Sequence, residues 1–146
     1  MSYFMDTAIN EAKAAALRNE VPVGAVLVKD RMVIAQNGNR ILELKDPTAH
    51  AEILVIREAA HKLGNERLVG CILYVTLEPC AMCAAAISLS RINRLYYGAE
   101  DAKAGGVENG VRYFDSQSCH HAPEYYGGFQ AEPSSQLLKK FFADKR

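Results

Sequence analysis

No stretch of the sequence approaches the roughly 18 consecutive apolar residues that a membrane-spanning helix needs. The start, Met1 to Asp6, has no basic cluster leading into an apolar core. These two absences predict a chain without span or leader, cytoplasmic and not associated with a membrane. Net charge is missing as well: 17 basic residues balance 17 acidic ones, which argues against a protein that holds nucleic acid through a broadly positive surface. There are no internal repeats and no low-complexity segments, which excludes a repeat architecture. At 146 residues the chain suffices for one compact domain over 1–146 and is short for two.

What is present reads as alternating helices and strands. Phe4, Met5, Ala8, Ile9, Ala12 and Ala16 recur at three- and four-residue steps with polar residues between them, which predicts an amphipathic opening helix. Val21–Val28 and Met32–Gln36 are β-prone runs separated by Lys29, Asp30 and Arg31, a hairpin pattern. Asp46-Pro47-Thr48 is a helix-start signal with Thr48 as N-cap, leading into an apolar helix from Ala49 to Leu63. Cys71–Thr76 reads as a central strand, and Pro79 suits the first turn of a second buried helix, Cys80 to Ser90. Ile92–Gly98 and Glu124–Phe129 complete the strands, and Leu137, Leu138, Phe141 and Phe142 make an apolar stripe on a closing helix. This order predicts an α/β architecture with helices on both faces of a mixed sheet. Gly105 to Pro123 carries little pattern and reads as a mobile loop near the strand ends.

The chemistry is concentrated in His50-Ala51-Glu52 and, 28 residues after Glu52, Cys80-Ala81-Met82-Cys83 preceded by Pro79. His50, Cys80 and Cys83 offer three metal donors; a structural zinc site closes its tetrahedron with four, whereas three leave a position for a reactive water. Glu52 then has a proton-transfer role: it can take a proton from that water, deliver it to a ring nitrogen of a purine or pyrimidine as hydroxide attacks the adjacent amino-bearing carbon, and later protonate the leaving ammonia. Each residue has a plainer reading. Cys-x-x-Cys alone is a redox pair or half a structural zinc site, a lone histidine is a hydrogen-bonded core residue, and a lone glutamate is a helix cap. Their joint occurrence at two helix starts favours a catalytic zinc centre, one ion per chain. Cys71 and Cys119 have no assigned role.

These stretches resemble the cytidine deaminase superfamily, and within it the bacterial tRNA-specific adenosine deaminases. The resemblance runs through Val21–Val28, Gly38-Asn39-Arg40, Asp46–Ile53, Leu73–Ala84 and Gly98–Lys103 with Gly105, and so covers nearly the whole chain. It implies a three-layer α/β/α cytidine-deaminase-like fold with a central five-stranded mixed sheet. It implies hydrolytic conversion of adenosine to inosine at the wobble position of a tRNA anticodon stem-loop, on a homodimer. It places Asn39 on the purine, Val23 in the wall of its pocket, the Ala51 backbone amide on the reacting edge, Asp101 and Lys103 on flanking nucleotides, and His121 near the substrate. A second metal site at His120-His121 is disfavoured for that reason. Cytidine deaminases proper usually carry cysteine where His50 stands.

Two alternatives remain open at this stage. Guanine deaminases share the motifs around Asp46–Glu52 and Glu78–Cys83, so a free-base deaminase is the competing enzyme, and a non-catalytic zinc-stabilised RNA-binding or redox module has no use for Glu52. From Pro133 to Arg146 four basic residues face one acidic residue. Phe141 and Phe142 with Lys139, Lys140 and Arg146 are either a stacking and phosphate-contacting surface or an ordinary core-and-solvent helix face.

Overall fold

The computed structural model describes residues 2–145, so Arg146 and its expected phosphate contact lie outside the described residues. In chain order the elements are α1 (Ser2–Leu17), β1 (Gly24–Lys29), β2 (Met32–Gly38), α2 (Ile41–Leu44), α3 (Ala51–Leu63), β3 (Cys71–Leu77), α4 (Ala81–Leu89), β4 (Arg94–Ala99), a 3-10 turn (Tyr113–Asp115), β5 (Glu124–Tyr126) and α5 (Ala131–Asp144). Among the described residues no helix is long and apolar enough to cross a membrane.

The strands form one sheet in the order β2-β1-β3-β4-β5. β1 pairs antiparallel with β2 and β3, while β3, β4 and β5 run parallel. The pleat sends alternate side chains to opposite faces. Ala25, Leu27, Leu73, Val75, Leu95 and Tyr97 pack with Ala51, Val55 and Ala59 of α3 and Ala84 and Ile87 of α4. Val26, Val28, Tyr74 and Tyr96 pack on the other face with Met5, Ala8 and Ile9 of α1 and with Leu137 of α5. The three central strands are therefore covered on both sides, which is why they read as near-continuous apolar runs. The result is the expected three-layer arrangement with a five-stranded mixed sheet.

Two local features fix the frame of the site. Asp30 and Arg31 both adopt positive φ, 51° and 64°, which matches the twist of a two-residue hairpin turn. Gly24 is required by close approach: a Cβ there would lie 1.9 Å from the Ala8 carbonyl oxygen, so its absence lets α1 lie directly on β1.

The structure departs from the sequence reading in several elements. β2 continues two residues past Gln36, to Gly38. The last strand stops at Tyr126, after which Phe129 turns inward to meet Tyr96 edge-on at 4.9 Å. Gly105, Gly106 and Val107 are buried, and Phe114 of the 3-10 turn packs against the core, so this segment is folded onto the body where a mobile loop was expected. α2 had no counterpart in the sequence reading.

Candidate metal and deamination centre

Each ligand-bearing helix begins at the carboxyl edge of the sheet, and each takes a ligand as its N-cap. His50 precedes α3 in extended backbone (φ −71°, ψ 151°), and Cys80 precedes α4 likewise (φ −71°, ψ 175°); neither side chain bonds its own helix amides. Both side chains are therefore free to turn towards each other. Thr48, expected to cap α3, stands two residues too early: its hydroxyl and amide both donate to Asp46 Oδ1, at 2.7 and 2.8 Å. Pro79 likewise precedes the α4 cap and is not in the first turn, because the chain must leave β3 before the helix can start.

His50, Cys80 and Cys83 come together with all three donor atoms within 4.8 Å. His50 Nδ1 lies 3.7 Å from Cys80 Sγ and 3.5 Å from Cys83 Sγ. A tetrahedral zinc ion with ordinary Zn–N and Zn–S bonds separates such atoms by about 3.6 Å, so the donor set fits zinc without rearrangement. The hydrogen bond from Cys83, with the nearby His50, pushes the Cys80 thiol down to about 4, while the same contact with Cys80 and burial push Cys83 up. One thiolate is thus already favoured, and a bound dication removes the second proton. Hydrogen bonding to Cys80 raises the His50 pKa.

Glu52 follows on the first turn of α3, is 4% exposed, and lines the same cleft as His50 and Cys80 without joining the ligand triad. Burial pushes its carboxyl up to about 7, where it can both accept and release a proton near neutrality. The cleft has a volume of about 240 Å³, with apolar walls from Val21, Val23, Ile41 and Leu77 and polar groups from Asn39 and Asp101. Of the residues expected at the substrate, Asn39, Val23 and Asp101 are therefore brought to the metal donors.

The Ala51 amide is not free for the reacting edge: it donates to Asn39 Oδ1 at 2.8 Å. That bond orients the Asn39 carboxamide oxygen inward, and among the described residues no protein acceptor meets its Nδ2. His121 is also displaced from its expected place. Its Nε2 lies 2.8 Å from the Ile92 carbonyl, at the entry to β4, whereas the cleft lies at the exit of that strand. The length of β4 separates the two by roughly 20 Å at about 3.3 Å per residue.

Lys103 and Phe142 line a neighbouring groove of about 950 Å³ with Lys139 and Lys145, and this groove shares Asp101 and Ala104 with the cleft. Phe142 is 49% exposed, so the plain core reading of α5 does not hold for that ring. Lys145 is turned away towards Asn19, 3.2 Å from its Oδ1. Lys140 and Phe141 line a different groove, against α1.

The sequence reading assigned no task to Glu78. The residue is 2% exposed. Burial raises its pKa, but hydrogen bonds from Asp101, Asn109 and Glu108 outweigh that and hold the group below its ordinary value. An acid directly before Pro-Cys was the available signal, and only the fold shows that it is buried and which partners it takes.

Residues 1–99 match the family described as the cytidine and deoxycytidylate deaminase zinc-binding region. The chain belongs to that deaminase family. Its zinc cofactor and hydrolytic chemistry follow from membership and from the donor set already described. A relative named tRNA-specific adenosine deaminase, from Agrobacterium fabrum, is 59% identical over 145 residues, covering 99% of this chain and 95% of its own. A solved structure from a study of A-to-I editing by tRNA:A34 deaminases at the wobble position of transfer RNA superimposes with a TM-score of 0.94 at 59% identity, covering 94% of this deaminase and all of that chain. A guanine deaminase from Bacillus subtilis superimposes less well, with a TM-score of 0.67 at 33% identity over 99% of this chain and 96% of that one.

Proposed function

We propose that this deaminase, as a single domain over 1–146, converts adenosine to inosine at the wobble position of a tRNA anticodon, releasing ammonia. The observation that carries the substrate assignment is the groove beside the cleft. A free base needs only the cleft and has no use for an adjoining surface with Lys103, Lys139 and a half-exposed Phe142. A base splayed from an RNA loop brings phosphates and a neighbouring base to that surface. The match to relatives named as tRNA deaminases supports the same reading.

Zinc, when bound by His50, Cys80 and Cys83, supplies Lewis acidity that makes water a nucleophile at neutral pH. The remaining work belongs to the chain. Glu52 takes one proton of the attacking water and hands it to the purine ring nitrogen beside the amino-bearing carbon, then takes the second from the hydroxyl group added to that carbon and gives it to the departing amine as the C–N bond breaks. Asn39 Nδ2 donates to an acceptor on the purine edge, while Val23 and its apolar neighbours exclude water from the ring faces. Asp101 and Lys103 meet the flanking nucleotides, Lys139 a phosphate, and Phe142 stacks on a neighbouring base. His121 is left out of this set by its position.

Incubation with an anticodon stem-loop carrying wobble adenosine is expected to give inosine, and incubation with free guanine no xanthine; the reverse result favours the guanine reading suggested by the Bacillus subtilis structure. Two phosphate contacts to a single strand predict that log K for RNA falls against log salt with a slope of about −1.4. Replacing Lys103 and Lys139 by alanine is expected to flatten that slope, and an unchanged slope removes both lysines from the interface.

We further infer a cytoplasmic homodimer. α4 is apolar nearly all round, and its Leu89 is 66% exposed, a surface that a second copy of this chain covers at little cost in charge. Sedimentation is expected to show a dimer that Leu89→Lys converts to monomer. A wild-type monomer at micromolar concentration contradicts this inference.

A further inference from the structure

Glu78 directly follows β3, two residues ahead of Cys80, and its carboxylate gathers five hydrogen bonds from a single distant loop. Asp101 N–H donates to Oε1 at 3.0 Å, and the amides of Val107, Glu108 and Asn109 donate to Oε2 at 3.0, 2.9 and 3.1 Å. Asn109 Nδ2 donates to Oε1 at 2.7 Å. Every one of these donors lies on residues 101–109, more than twenty positions from Glu78 in sequence. The same loop supplies Asp101 and Ala104 to the cleft wall and Lys103 to the adjoining groove.

The contact surface is shaped for this arrangement. A Cβ on Gly105 would lie 2.5 Å from Glu78 Cδ and 2.5 Å from the Asp101 carbonyl oxygen. A Cβ on Gly106 would lie 2.6 Å from the Ala81 amide nitrogen. Gly105 forms an isolated bridge with Cys80, and Gly106 N–H donates to the Pro79 carbonyl at 2.8 Å. The loop therefore lies directly on the turn that presents Cys80, with Glu78 beneath it.

We propose that Glu78 is the positioning residue that ties the substrate wall to the metal-binding turn: one buried anion fixes the 101–109 loop and so sets where Asp101, Lys103 and Ala104 stand relative to His50, Cys80 and Cys83. The kinetic part of this assignment rests on the proposed RNA substrate, and the structural part does not.

The test uses zinc-loaded, full-length Glu78→Gln and, independently, Gly105→Ala. The first turns an NH2 group towards backbone amides, and the second wedges the loop off an intact carboxylate. Zinc content, amide exchange, and kcat and KM on the wobble-adenosine stem-loop are measured for each. Both variants are expected to keep one zinc per chain, to exchange the amides of 101–109 at least about tenfold faster with the sheet unchanged, and to raise KM about tenfold while kcat stays within about threefold. Glu78→Asp, which keeps the charge on a shorter stem, is expected to recover part of the KM. Wild-type exchange and KM in Glu78→Gln overturn the proposal. So does exchange that rises evenly over the whole chain, or loss of zinc with the loop still protected, since the carboxylate would then support the fold or the metal alone. If wild-type protein makes no inosine, the substrate reading fails, and the exchange comparison still decides whether Glu78 anchors the loop.

Discussion

Replacing Glu52 by glutamine is expected to lower kcat on the stem-loop by about a thousandfold or more while zinc content and melting temperature stay near wild type. A positioned general acid–base typically contributes about 10²–10⁴-fold, and in the proposed mechanism one carboxylate relays both protons of the water, so the upper half of that range applies. Glutamine keeps the shape of the buried side chain and leaves His50, Cys80 and Cys83 untouched, which separates proton transfer from metal binding. Alanine at the same position is expected to lose activity as fully and to retain zinc, with some added loss of packing. Rapid-quench measurement of inosine gives kcat directly. Turnover within tenfold of wild type would assign the proton transfers to another group.

Removing a ligand acts on different quantities. Cys83→Ala is expected to abolish zinc binding and deamination together and to lower the melting temperature. Cys83 is fully buried in the first turn of α4, and His50 caps α3, so an ion held by both would link the two helix starts. A ligand present at a thousand times its dissociation constant stabilises the folded state by about 4 kcal/mol, so wild-type protein treated with chelator should melt several degrees lower. The Cys83→Ala variant should not respond to chelator. A chelator-insensitive wild type with full activity would rule out an ion held by these three residues.

What the sequence disclosed and what it withheld divide along physical lines. β1, β3 and β4 are buried on both faces, and residues buried that way announce themselves as apolar runs. The ligand triad was legible because zinc restricts both residue type and spacing. α2 was invisible for a definite reason: its first amides are capped by Glu20, with Leu42 and Glu43 N–H both donating to Glu20 Oε2 at 3.0 Å, and no local pattern reports a cap about twenty residues away. The α3 start was misplaced by two residues because Thr48 looks like a cap while its hydroxyl serves Asp46. Gly105 and Gly106 suggested mobility, yet glycine also permits close approach, and only the fold distinguishes the two uses. The Ala51 amide and His121 were assigned by resemblance, and the partners they take here, Asn39 and the Ile92 carbonyl, are tertiary contacts without a signature in the chain.

The metal donors with Glu52 and the proposed outer contacts occupy separate stretches of the polypeptide. The donor triad and Glu52 lie within 50–83, the residues lining the adjoining groove begin at Asp101, and the family match stops at residue 99, between them. Such a layout is modular: a new outer stretch can present the same ring from different surroundings without refitting the metal donors. Any such graft inherits a single docking requirement, a segment whose amides converge on the acid in front of Pro79.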